Sequence, residues 1–407
     1  MKMINTIKPF FEPRGVAVIG ASSNPEKLSH GILKNLISYG FEGKVYPVNP
    51  GAVEIIGLRC YPDIENVPDP IDLAVIVLPA SAIPEVIESC GRRGIKAAII
   101  ISGGFQEVGS YGENLQREVL ERAAHFRMRI IGPNCVGNIN LITGLNTTFI
   151  KGLPAVGGIG FVSQSGAVCG AVVDMVQNEG IGFSHFISLG NEADVTESDM
   201  IEYLAEDTHT RVIAAYVESI RDGQRFMRAA KTAVLKKPLV ILKAGKSEAG
   251  AKAVSSHTGS LAGSKDAYST AFRQSGAIEA ETLGDLLRAA NAFVWAPLLN
   301  GDSIAIITNA GGPAALASDS IAQYHLSLST LGDNTQSELK KKLVPAAQVG
   351  NPVDMLGGAE AGEYSAALQA LLLDKNVHAC AAILVPQALV KPDGVARAII
   401  ENAAGSK

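Results

Sequence analysis

One imidazole, His257, stands at the centre of residues 244–264, AGKSEAGAKAVSSHTGSLAGS, a run of Gly, Ala, Ser and Lys without apolar periodicity. Side chains this small pack no core, so the segment reads as a surface loop whose backbone can come close to a ligand. An imidazole there can accept and donate a group, and the plain alternative is a solvated histidine in a connector. Two other places offer matching chemistry. Ser163-Gln164-Ser165-Gly166-Ala167 leads from an apolar, β-branched run into a helical pattern. The free amides and positive end of such a helix hold a phosphoryl group. As a nucleophile elbow the segment is incomplete, because Ser163 rather than glycine stands two before Ser165, and no Asp then His follow at persuasive places. Glu218 ends the run RVIAAYVE and brings a carboxylate to the same sheet edge. A carboxylate on one ring nitrogen fixes the tautomer and makes the other nitrogen a better nucleophile. An ordinary solvated strand-end acid would do neither.

A third place is the small-residue turn Gly20-Ala21-Ser22-Ser23-Asn24-Pro25, between an apolar run and a helical pattern. Such a turn presents backbone amides to a phosphate, or serves only the fold. It does not read as a nicotinamide dinucleotide site. GVAVIGASSNP lacks G-x-G-x-x-G, and Asn49 of YPVNP stands where a ribose-binding acid is expected. Leu78-Pro79-Ala80 and Ile101-Ser102-Gly103-Gly104 end further apolar runs on the same edge. Ligands of open parallel sheets lie outside the carboxyl ends of the strands, and a phosphorylated adenosine ligand other than NAD fits these residues best.

The elements that must position these groups alternate short apolar runs with longer helical patterns, which predicts an α/β fold of parallel sheets flanked by helices. Three units follow. Strands at 15–20, 44–49, 73–79, 96–102 and 129–133, with a helix at 28–39, make the first, residues 1–150. Strands at 157–163, 183–190, 211–218 and 238–244 make the second, residues 151–298. Strands at 303–312, 325–331 and 378–386 make the third, residues 299–407, which is either short by nature or cut where another strand would follow.

Composition narrows the function classes. Of 407 residues 18% are charged, the net charge is −5, and there is no Lys/Arg run longer than Lys340-Lys341-Lys342, so nothing points to nucleic acid or an anionic membrane. Cys60, Cys90, Cys135, Cys169 and Cys380 have neither CxxC nor His/Cys metal spacing. They read as reduced, mostly buried thiols of a cytoplasmic protein, with no metal site. No stretch reaches the roughly 18 apolar residues of a membrane span.

Taken in order, GVAVIGASSNPEKLSHGI, VYPVNP, IIGPNCVGNIN, FVSQSGAVCGA, SLGNEADV, KAGKSEAGAKAVSSHTGSLAGS, ITNAGGPA and NPVDM resemble the α subunit, or α-like portion, of NDP-forming acyl-CoA synthetases. These are the ADP-forming acetate–CoA ligases, related to succinyl-CoA synthetase. The resemblance implies a Rossmann-like CoA-binding domain followed by two flavodoxin-like doubly wound domains, the last of them either short by nature or truncated. It implies contacts to CoA from Gly20, Ala21, Ser22, Asn24, Asn49, Pro50, Ile101, Ser102 and Asn134. It further implies a phosphate site at Ser163, Gln164, Ser165 and Gly166, transient phosphorylation of His257 on a mobile loop, and support of that phosphohistidine by Glu218. The implied reaction is carboxylate + CoA + ATP giving acyl-CoA + ADP + phosphate, reversibly.

No segment of the chain resembles an ATP-grasp domain, so ATP or ADP with Mg²⁺ is expected on a partner β subunit or a further part of the protein, in an α₂β₂ assembly by resemblance. Two other classes stand beside this one. An acyl-CoA-sensing part of a protein acyltransferase would lack the active histidine, and a nicotinamide-dependent oxidoreductase would need the missing glycines and acid. The identity of the small carboxylate is not written in these residues.

Overall fold

The computed structural model describes residues 2–404, apart from 69–70, 178, 259–263, 297–298 and 389, and does not describe the side chains of residues 2–4 and 255–258. The chain forms two compact units, Met1–Ala296 and Pro297–Lys407.

In the first unit, continuous runs of Val, Ile and Ala that admit no polar face become strands buried on both sides. Gly15–Ile19, Leu73–Ile76 and Ala97–Ile100 are buried at every position. They form a parallel sheet in the order Lys44–Val48, Gly15–Ile19, Leu73–Ile76, Ala97–Ile100, Arg129–Ile131. The first strand thus has the second on one side and the third on the other. The crossovers leave in opposite directions there and open a crevice at the strands' carboxyl ends, where Gly20 lies.

A second sheet repeats the device. Ala155–Ser163 pairs in parallel with Gly182–Ser188 on one side and Val212–Val217 on the other, and Leu239–Lys243 and Ile278–Ala280 extend the latter side. Its crevice therefore lies between the ends of Ala155–Ser163 and Val212–Val217, where Ser163–Gly166 and Glu218 stand. The two sheets share a core in which Val16, Leu73 and Ile99 pack in one cluster with Val162, Ile213 and Ile241. Phe11, from the segment before the first strand, stacks on Tyr203 of the helix Glu197–Glu206 at 4.8 Å.

Two expectations need correction. The second sheet is not wholly parallel, because Asn138–Asn140 pairs antiparallel with Gly182–Ser188 and with Leu145–Asn146. These strands of three and two residues are too short to show periodicity, and they lie before position 150. Residues 244–264 are not a continuous loop, since Glu248–Thr258 is an α-helix. Alanine has the highest helix propensity, and Ala249, Ala251 and Ala253 outweigh the serines here. Ser247 Oγ accepts the Gly250 amide at 3.1 Å and so starts the helix.

In the second unit, Ser303–Thr308 pairs in parallel with Ser327–Leu328, Val353–Asp354 and Ala379–Ile383. Helices Gly311–Gln323, Asp333–Lys342, Ala361–Leu372 and Pro392–Ala403 complete it. All five cysteines are free thiols, four of them buried. Among the described residues no helix is long and apolar enough to cross a membrane.

Candidate active site

The carboxyl ends of the two sheets of the first unit meet across a cavity of about 530 Å³. Ile101, Ser102 and Asn134 reach it from the first sheet; Gln164, Ser165, Gly166, Gly190, Asn191 and Glu218 reach it from the second. Leu28 and Ser102 also line a neighbouring groove with Gly20, Ala21, Ser22 and Asn49. That groove shares Gly20, Asn49 and Leu78 with a third cavity of about 550 Å³, where Pro50 lies. An elongated ligand could therefore run from the Gly20 turn to the second sheet without leaving the groove.

The Gly20 turn is built by side-chain hydrogen bonds. Asn49 Nδ2 donates to the Ala21 carbonyl at 2.6 Å, and its Oδ1 accepts the Gly51 amide at 2.8 Å. The amide that replaces a ribose-binding acid thus ties the ends of two strands together. Asn24 donates its backbone amide to Ser22 Oγ at 3.1 Å and accepts the Glu26 amide at Oδ1. Gly20 has φ +84°, and a Cβ there would stand 2.2 Å from the Val77 carbonyl oxygen, so only glycine lets the chain turn this close to the neighbouring strand.

At the second crevice, Ser163 is fully buried beneath the cavity, where its Oγ donates to the Ser165 carbonyl at 2.8 Å and accepts the Ser165 amide at 3.1 Å. Ser165 caps the helix Gly166–Val176, its Oγ accepting the Val168 amide. The first amides of that helix have no partners within it, and they give the cavity wall a positive end. Gln164 places its whole side-chain amide elsewhere. Its Oε1 accepts the amides of Glu218 at 2.5 Å and Ser219 at 2.9 Å, while Nε2 donates to the Ser219 carbonyl at 2.7 Å and to Glu192 at 2.6 Å. Gln164 is thus a strut for the Glu218 turn.

Glu218 itself is 8% exposed at the end of Val212–Val217. Beside it runs Lys243, paired in register with Val217 and 4% exposed, its ammonium 4.5 Å from the centre of the Tyr268 ring. Burial pulls the Lys243 pKa down, and the charge of Glu218 opposes that shift. The side chain of His257, on the helix that follows this strand, lies outside the described residues.

The sequence reading missed the groups that lock the two sheets together. Asn191 accepts from Asn134 Nδ2 at 3.3 Å and donates to Glu107 at 2.6 Å. Burial works against ionisation of Glu107, but the bonds from Asn191 and from the amides of Gly104 and Phe105 hold its pKa below the usual carboxylate value. Arg221 donates to Gln106 Oε1 and to the Asn191 carbonyl, each at 2.9 Å. Only the buried lysine of PLVILKA left a local signal, a charge ending an otherwise apolar run; the rest join residues 30 to 115 apart in sequence.

Comparison with known proteins decides the family. A CoA-binding-domain model matches residues 14–140, a model of the succinyl-CoA-ligase-like flavodoxin domain matches 156–293, and a ligase-CoA-domain model matches 304–404. The α subunit of ADP-forming acetate–CoA ligase II from Pyrococcus furiosus is 46% identical over 376 residues, covering 92% of this chain and 82% of that subunit. This chain belongs to the ADP-forming acyl-CoA synthetase family, on the α-subunit side. The ADP-forming acetate–CoA ligase I of Archaeoglobus fulgidus is also 46% identical, over 93% of this chain, and the chain spans about half of that longer relative, 55% of its length. The solved dinucleotide-forming acetyl-coenzyme A synthetase 1 of Candidatus Korarchaeum cryptofilum, in complex with phosphate and ADP, superimposes with a TM-score of 0.94. It is 38% identical, over 99% of this chain and 88% of that one.

Proposed function

We propose that this chain is the catalytic α part of a cytoplasmic ADP-forming acyl-CoA synthetase, which interconverts acyl-CoA, ADP and phosphate with carboxylate, CoA and ATP. The observation that supports this reading most is the shared cavity, in which strand ends of one sheet face a helix amino terminus and Glu218 of the other. In this reading CoA lies along the groove from Gly20, Ala21, Ser22, Asn24, Asn49 and Pro50 to Ile101, Ser102 and Asn134. Its thioester end then reaches the amino end of the helix at Ser165 and Gly166, which takes the phosphate, with Ser163 and Gln164 shaping that site. Residues 1–150 act as the CoA-binding domain, 151–298 as the domain bearing the phosphohistidine, and 299–407 as a third ligase domain.

In the ATP-forming direction an oxygen of inorganic phosphate attacks the thioester carbonyl and CoA leaves as thiolate, so an acyl phosphate forms. A ring nitrogen of His257 then attacks phosphorus and the carboxylate leaves with the bridging oxygen. The phosphoryl group passes from His257 to the terminal oxygen of ADP. Such transfers need positioning and charge stabilisation more than covalent chemistry, which a helix terminus and a carboxylate-oriented imidazole supply. Glu218 supports the ring by accepting its second N–H. An ATP-grasp β subunit holds ADP or ATP with Mg²⁺, in an α₂β₂ assembly, and the acyl group is that of a small carboxylate.

The ligand reading is tested by calorimetric titration of the chain with CoA and, separately, with NAD. CoA is expected to bind with a Kd in the micromolar range, about −7 to −8 kcal/mol, and NAD to give no saturable heat. Saturable binding of NAD without CoA binding would overturn it.

A further inference from the structure

Glu192 has no part in the chemistry described above, yet its side chain is 4% exposed and its backbone sits in the left-handed region at φ 51°. A non-glycine residue keeps that conformation when its surroundings fix it. What fixes it is a chain of bonds that ends at the active site. Glu192 Oε1 accepts the amide of Glu197 at 2.9 Å, the first residue of the helix Glu197–Glu206. Its Oε2 accepts Gln164 Nε2 at 2.6 Å. The other end of Gln164 receives the amides of Glu218 and Ser219. Two backbone donors converge on that end, so the side-chain amide can face only one way. From outside, Arg221 donates to the Asn191 carbonyl at 2.9 Å and to the Glu192 carbonyl at 3.5 Å.

We propose that Glu192 is a positioning residue that acts through Gln164 to set the place and direction of Glu218. The inference rests on the reading that Glu218 supports the phosphorylated imidazole. Burial and the nearby carboxyl of Glu197, 3% exposed, keep the Glu192 carboxyl well above the ordinary acid range. A group retained at such cost in an enclosed site serves geometry better than charge. An error of about 1 Å at a reacting group slows a reaction about 100-fold, so a strut of this kind affects rate directly.

The test is the rate at which the assembled enzyme, given acetyl-CoA and radiolabelled inorganic phosphate, phosphorylates His257. Glu192→Gln has one acceptor oxygen where two are required, so either Gln164 or the Glu197 amide loses its partner. Phosphorylation is expected to slow roughly 10- to 100-fold, while KM for acetyl-CoA and the Kd for CoA change by less than about two-fold. In a Glu218→Gln background, the same substitution should add less than about three-fold, because residues acting through one group are not additive. Glu192→Asp keeps both acceptor oxygens and should recover part of the rate; it also answers the question if Glu192→Gln fails to fold. A full rate in the Glu192 variants, or slowing that multiplies in the double variant, would overturn the inference while leaving the role of Glu218 intact. A full rate in Glu218→Gln alone would instead overturn that role, and the inference with it.

Discussion

His257→Ala should leave an enzyme that binds CoA normally and forms no ATP. The imidazole is the nucleophile of the proposed relay, and loss of a nucleophile removes the step itself rather than weakening a contact. The expected fall in kcat is on the order of 10⁴-fold or more. Among the described residues no imidazole lines the cavity between the two sheets. His185 is 1% exposed in the second sheet, packed against Phe11 and Tyr203, and His30 lies in the first-sheet helix Leu28–Ser38 with Nδ1 3.3 Å from the Ser22 carbonyl. ATP formation from acyl-CoA, ADP and phosphate, measured beside calorimetric binding of CoA, separates this outcome from misfolding. Substantial residual activity with normal CoA binding would mean that phosphorus travels without this residue.

The second large effect lies at the other end of the groove. Gly20→Val places a β-branched residue at φ +84°, with its Cβ built 2.2 Å from the Val77 carbonyl oxygen and 2.9 Å from Leu78 Cδ2. Strained backbone costs about 1–3 kcal/mol and overpacking a similar amount. The turn must therefore move, and with it the groove wall that Gly20, Ala21 and Ser22 form. Affinity for CoA is expected to fall roughly 30-fold or more, the equivalent of at least 2 kcal/mol. Gly40→Val is the matched control, since Gly40 has φ +82° but nothing within 4 Å of its added Cβ. It carries the same backbone strain without the collision, and its CoA affinity should stay within about two-fold of the parent. Equal losses in the two variants would show that the Gly20 turn has no special relation to the ligand.

Much of this arrangement is legible in the sequence because it follows from local patterns. GVAVI, AAII and LVILK admit no polar face, so they must be strands buried on both sides, and the small residues after them must lie at carboxyl ends. The rule that ligands collect there singles out Gly20, Ser165 and Glu218 before any coordinates are considered. What the sequence does not show is which ends face each other. That Ser102 and Asn134 meet Ser165 and Glu218 across one cavity depends on how the two sheets pack, and no window of the chain contains that packing. Gln164 is a similar case. In FVSQSGAV it reads as a polar residue at a phosphate turn, but its partners lie 28, 54 and 55 residues away. The helix Glu248–Thr258 is hidden for a different reason, because Ala249, Ala251 and Ala253 in alternation with Gly250, Lys252 and Val254 give no amphipathic stripe and propensity alone decides.

Transfer of phosphorus through His257 is tested most directly by a single-turnover labelling. The assembled enzyme is mixed with acetyl-CoA and radiolabelled inorganic phosphate without ADP, alongside longer and aryl acyl-CoAs, then quenched in base and digested for peptide mapping. The expected result is an acid-labile, base-stable label on the peptide carrying SSHTGS, released as ATP when ADP is added. Label on any other residue of this chain, or ATP formed on adding ADP with none on that peptide beforehand, would contradict it.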